Sequence, residues 1–143
     1  MTDPAPKPRE YRGESISVTF DSQRCIHAEA CIRGLPAVFD MKARPWVQPN
    51  SGNADDIADT IERCPSGALQ YRRVTFGSNE RADQPPQITV IPNGPLYVRG
   101  DLEYPTANGE LQPSPRAALC RCGGSANKPF CDNTHRDNGF QAP

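Results

Sequence analysis

Apolar and polar residues alternate through Ser15-Ile16-Ser17-Val18-Thr19-Phe20, which predicts a strand with one buried face. Over residues 54–63 the spacing becomes helical. Ile57 and Ile61 fall at i and i+4, Cys64 follows at i+7, and Asn53 stands where an N-cap is needed. Pro65 ends that helix and residues 68–76 resume as a strand, while residues 44–47 read as a short extended piece. The polar, turn-forming run 77–86 reads as a linker. Beyond it, residues 87–91 and 96–99 predict two strands joined by the turn Pro92-Asn93-Gly94-Pro95. Leu111 and residues 117–119 supply further short strands, and residues 120–140 read as loop followed by two helical turns. Residues 1–13, Pro-rich, charged and without periodicity, read as a disordered leader. The pattern as a whole predicts an α+β chain of two small modules, residues 14–76 and 87–143.

Composition sharpens this picture. Of 143 residues only 36% are hydrophobic, against roughly 45–50% in ordinary domains when Gly is included, and 16 are Pro. Modules this small and poor in apolar material need staples, either disulfides or metal. The net charge of -1 argues against a nucleic-acid binder. No apolar run approaches the roughly 18 residues of a membrane span, and the first residues lack the apolar core of a secretory signal. The expectation is a cytoplasmic protein.

In such a compartment clustered Cys bind metal more often than they pair. The six Cys and two His fall into two sets: Cys25, Cys31 and Cys64 with His27, then Cys120, Cys122 and Cys131 with His135. An odd number of thiols in each half also makes disulfides awkward. In the second set Cys131 and His135 stand at i and i+4, within reach of each other across one helical turn. Asp132 is placed to cap that turn, and Gly123 and Gly124 permit a tight loop that offers N–H groups to an anionic centre.

This second set, Cys120-Arg121-Cys122-Gly123-Gly124-Ser125, then Pro129-Phe130-Cys131-Asp132 and His135, resembles the signature of CDGSH-type (mitoNEET-like) iron–sulfur domains. The strand region Ile91-Pro92-Asn93-Gly94-Pro95-Leu96-Tyr97-Val98-Arg99-Gly100 is similar to what precedes the motif in that family. The departure is Asn133-Thr134 in place of Gly-Ser, a mild change because Asn tolerates a left-handed backbone. The resemblance implies a [2Fe-2S] cluster held by Cys120, Cys122, Cys131 and His135. Spacing alone also allows a Cys3His structural zinc site. With one neutral imidazole among thiolates, the cluster would have a raised reduction potential and an acid-sensitive ligand.

In the first set the order is Cys25-x2-Ala28-x2-Cys31, then Cys64-Pro65. It resembles divergent single-cluster ferredoxin domains that are fused to CDGSH modules, with Ala28 where the middle Cys of a bacterial ferredoxin stands. The resemblance implies a second cluster held by Cys25, Cys31 and Cys64. It is [3Fe-4S] if the corner at Ala28 lacks iron, or [4Fe-4S] if His27, Glu29 or solvent completes it; His27 is the better candidate. Buried Cys packing as small apolar residues is the plain alternative. Trp46 reads as a core plug, and Asp55, Asp56 and Asp59 as a solvated helix face.

Nothing in the chain suggests substrate turnover. There is no nucleophile–base pair apart from the ligands, and Gly123-Gly124 belongs to the cluster loop. The expectation is a non-enzymatic iron–sulfur protein in single-electron transfer, working with a redox partner protein. The alternatives are a cluster donor or redox sensor that meets an apo acceptor, and a zinc-stabilised interaction module. The CDGSH resemblance also implies a possible homodimer.

Overall fold

A computed structural model describes residues 8–106 and 108–143. The chain is α+β, with two three-stranded antiparallel sheets and two compact units. The first unit runs up to Cys64 and includes Ala68–Glu80; the second comprises Pro65–Gly67 and Arg81–Pro143. Their division after Glu80 falls inside the polar run 77–86. Among the described residues no helix is long and apolar enough to cross a membrane.

In the first unit β1 (Arg9–Arg12), β2 (Ile16–Phe20) and β3 (Leu69–Arg73) form a sheet in that order. β2 is the predicted strand, and its inward residues Ile16 and Val18 are fully buried. β1 corrects the leader: residues 9–12 pair with β2, Tyr11 opposite Val18, with Tyr11 facing the core. The remainder of the predicted leader, residues 1–7, lies outside the described residues.

Helix α2 (Ala54–Glu62) begins as predicted, because Asn53 Oδ1 accepts the Asp56 N–H at 2.8 Å. Ile57 and Ile61 then pack into a core with Val38, Phe39, Val47 and Leu69. Trp46 meets Phe20 edge-on at 5.0 Å and Phe39 at 5.9 Å, closing that core from the side. Asp55, Asp56 and Asp59 face solvent, and Asp55 also pairs with Arg73 at 2.9 Å. The extended piece around residue 46 reduces to a single bridge between Phe39 and Val47. A short helix, α1 (Ala30–Gly34), carries Cys31.

The second unit is the sheet β4 (Gln87–Val90), β5 (Leu96–Pro105) and β6 (Leu111–Leu119), in that order. The turn at Asn93, left-handed with φ 57°, joins β4 to β5 as predicted. β6 is one nine-residue strand where two short pieces were expected. Pro113 and Pro115 hid it, but β6 is an edge strand, where a missing N–H can be tolerated. The two helical turns expected near the end reduce to one 3-10 turn, Thr134–Arg136. The buried apolar set here is small: Val98, Ala117, Ala118, Phe130 and Cys131.

Candidate metal centres

The second site is built at the end of β6. Past Leu119 the chain leaves the sheet, and the returning segment pairs back on it: Leu119 bridges Phe130, the Cys120 N–H donates to Pro129 O, and the Cys131 N–H donates to Ala118 O, both at 2.8 Å. This antiparallel return sets Cys131 across from Ala118, near enough to Cys120 to feel its charge. Gly123, at φ 81°, turns the loop so that the Gly124 N–H donates to Cys122 Sγ at 3.3 Å. A Cβ on Gly124 would lie 2.9 Å from both Thr134 Cγ2 and Asn138 Nδ2, so no side chain fits there without displacement.

The four donors stand two and two. Cys120 Sγ and Cys122 Sγ are 3.9 Å apart, and Cys131 Sγ is 3.6 Å from His135 Nδ1. Two ligands on one tetrahedral metal, each at about 2.3 Å, are separated by about 3.8 Å. Each pair therefore has the spacing of two ligands on one metal atom. Among the described residues no group of three His, Cys, Asp or Glu side chains is arranged to hold a single ion.

Asp132 serves the last turn from one residue before its N-cap position, accepting the Thr134 N–H. The N-cap is Asn133, left-handed at φ 71° and without a side-chain cap bond, as its place in the motif anticipates. Asp132 also stitches the loop: Oδ2 accepts the Ala126 N–H at 2.8 Å, and Oδ1 accepts the Thr134 N–H at 3.0 Å and the Thr134 hydroxyl. Ser125, buried, donates to Phe130 O at 2.6 Å and accepts the Asn127 N–H at 3.0 Å. These polar residues hold the ligands' backbone without standing among them.

Local charge matches a site for cationic metal. Burial pushes the Cys131 thiol up, against the Asn133 N–H, and the charges of Cys120, Asp132 and Cys122 add to the rise. Cys122 moves the other way, lowered chiefly by the Gly124 N–H, with the Asn138 side chain contributing. The sequence gives Arg121 no role beyond the spacer between two ligands. In the fold its guanidinium donates to Gly94 O at 2.9 Å, Ile91 O at 2.8 Å and Pro143 O at 3.0 Å, over the Phe140 ring at 5.2 Å.

At the first site Cys25, Cys31 and Cys64 are all half-buried. Burial raises the Cys25 thiol, opposed by the His27 N–H, and the Cys64 charge adds to the rise. Cys31 is pushed up to about 11, again first by burial, with Cys64 and Cys25 adding. The three half-buried thiols thus lie close enough to feel one another's charge. Three soft sulfur donors gathered in this way are the chemistry an iron–sulfur centre needs. His27 and Glu29 flank Ala28 with left-handed backbones, φ 57° and 64°, and all three residues are exposed. Glu29 is engaged by Arg33 at 2.8 Å, four residues on, at the start of α1. Of the two side chains considered for the fourth corner, His27 is the one not drawn into that ion pair.

Two family models match the chain over separate stretches. The family described as divergent 4Fe-4S mono-cluster matches residues 11–74, and the iron-binding zinc finger of CDGSH type matches residues 93–136. The uncharacterized protein YjdI of Escherichia coli K12 is 41% identical over 64 residues, which is 45% of this chain and 84% of that protein. Its counterpart in Escherichia coli O157:H7 matches to the same extent. With Cys25, Cys31 and Cys64 inside the first match and Cys120, Cys122, Cys131 and His135 inside the second, this chain belongs to the divergent 4Fe-4S mono-cluster family and carries a CDGSH-type iron-binding domain behind it.

Proposed function

We propose that the chain carries two iron–sulfur clusters and acts in single-electron transfer without turning over a substrate. Cys120 and Cys122 would hold one iron of a [2Fe-2S] cluster, and Cys131 and His135 the other. Cys25, Cys31 and Cys64 would hold a [3Fe-4S] or [4Fe-4S] cluster, with His27 the candidate fourth donor. The observation that carries this reading is that each pair has the spacing for one metal, 3.9 Å and 3.6 Å, while among the described residues no three donors are arranged to hold a single ion. A structural zinc would draw all four donors around one point. When bound, such clusters take up and release one electron at a time. The chain's own residues fix the ligands and supply N–H donors to the sulfurs, which tunes the potential.

Anaerobically prepared protein, analysed for Fe, sulfide and Zn with its visible absorption, tests the proposal. Iron and sulfide in near-equal amounts with a coloured spectrum is the expected result; a colourless, zinc-loaded protein overturns it. Low-temperature EPR of oxidised and reduced samples then tells a three-iron from a four-iron first centre. His135→Cys should lower the potential of the second centre and make it more acid-stable. Equal acid lability in both forms would remove His135 from the ligand set.

A second reading, cluster donation to an apo acceptor, draws on exposure. Cys122 and His135 are only half-buried, beside an exposed Gly123-Gly124 loop that an acceptor's thiol can approach. Electron carriage requires reversible reduction with the cluster retained, whereas donation requires its loss to the acceptor.

A further inference from the structure

We propose that Arg121 is a positioning residue that latches the second cluster in place, an inference that rests on the two-iron reading above. It lies between two ligands of one iron, and its guanidinium reaches away from them into a ring of backbone carbonyls. Nε donates to Gly94 O at 2.9 Å, Nη2 to Ile91 O at 2.8 Å and more loosely to Ala142 O at 3.4 Å, and Nη1 to Pro143 O at 3.0 Å. The planar fork of Arg can span such partners together; an ammonium is a point donor and cannot.

Two of the tethered pieces bear on the cluster. Gly94 belongs to the turn that packs on the other iron's ligand: a Cβ added there would stand 3.6 Å from His135 Nε2. Arg121 thus ties the Cys120–Cys122 pair to the turn that backs His135. The second piece is the segment 140–143. It is strapped to the same turn by a reciprocal pair, the Asn93 N–H to Ala142 O at 2.8 Å and the Ala142 N–H to Asn93 Oδ1 at 2.9 Å. Phe140 lies under the guanidinium at 5.2 Å, closing the latch with a cation–π contact. Arg121 and Asn93 both join these pieces, one from the ligand loop and one from the turn. Opening either should let the ligand pairs separate.

The test uses the holoprotein of this chain prepared anaerobically, with Arg121→Lys, Arg121→Gln and Asn93→Gly. Each is challenged with excess EDTA while the visible band of the second cluster is followed, and its reduction potential is titrated optically. Arg121→Lys and Arg121→Gln should lose the cluster at least about fivefold faster than the parent, because several charge-assisted hydrogen bonds are gone. Asn93→Gly keeps the left-handed turn and removes only the Oδ1 acceptor, and should speed loss about twofold through the strap. The potential separates positioning from charge: Arg121→Gln should lower it, while Arg121→Lys, still cationic, should hold it near the parent value.

Loss at the parent rate in Arg121→Lys overturns the latch, since charge alone would then suffice; loss at the parent rate in Asn93→Gly removes the strap from it. Should Arg121→Gln fail to fold, the Lys and Asn93 variants still decide. A parent protein that carries no iron is seen before any variant is made, and defeats the two-iron reading rather than the latch.

Discussion

Asp132 shows how a residue beside the ligands works without being one. Its carboxyl is held below the usual range, first by the Thr134 hydroxyl and then by the Ala126 N–H, with burial opposing. A depressed acid binds its proton later in the folded chain than in the unfolded one. Its contacts therefore stabilise the fold above the ordinary carboxylate range, and that contribution is lost as pH falls through the folded value. Thr134→Val keeps the side chain's shape and removes the strongest cause. The Asp132 titration midpoint, read by carboxyl-carbon NMR, should rise toward the ordinary value; an unmoved midpoint would assign the depression to the backbone donors. Asn133 is the other instructive residue here. Its departure from the Gly of the motif is absorbed by a left-handed backbone at φ 71°, the one conformation in which Asn stands in for Gly at small cost.

At the scale of elements, what could be read from the chain was whatever is local. Helix α2 announces itself through a cap, an i/i+4 pair and a terminating Pro, all within a dozen residues. Asn53→Ala should cost about 1 kcal/mol and Ile61→Ala about 3 kcal/mol in urea unfolding of the first unit. Ile61 is fully buried, so near-parent stability in Ile61→Ala would mean that the core closes around the loss. The elements that escaped are defined by distant partners or by too few residues. β1 buries only Tyr11, and its strand character comes from pairing with β2. α1 is five residues long, too short for periodicity, and its start is set by the left-handed Glu29 and the Glu29–Arg33 ion pair. β6 carries two prolines that would break a central strand but not an edge. The approach of Cys120 to Cys122 and of Cys131 to His135 was legible because spacing carries it. The carbonyl ring around Arg121 was not, because its partners lie more than twenty residues away in sequence.

Across the whole molecule the two units have unequal means of staying folded. The first has a contiguous apolar core in which Ile16, Val18, Val38, Phe39, Val47, Ile57, Ile61 and Leu69 are essentially inaccessible to water. The second buries Val98, Phe130, two alanines and Cys131, with Ser114, Arg116 and Ser125 among them. At about 25 cal/mol per Å2 of apolar surface, so small a set leaves little margin against the entropy of ordering a loop as long as residues 120–131. Metal binding that links Cys120, Cys122, Cys131 and His135 would supply the difference, because ligand binding to the folded form alone is folding free energy. Chelating the iron under reducing conditions should therefore collapse the amide dispersion of residues 87–143 in 1H–15N NMR spectra. Residues 9–73 should keep most of theirs, with losses centred on Cys25, Cys31 and Cys64. Limited proteolysis should follow the same order, cutting first between Cys120 and Cys131. If the iron-free chain instead retains native dispersion in the second unit, its sheet is self-sufficient. The cluster would then be cargo on a finished fold rather than part of what finishes it.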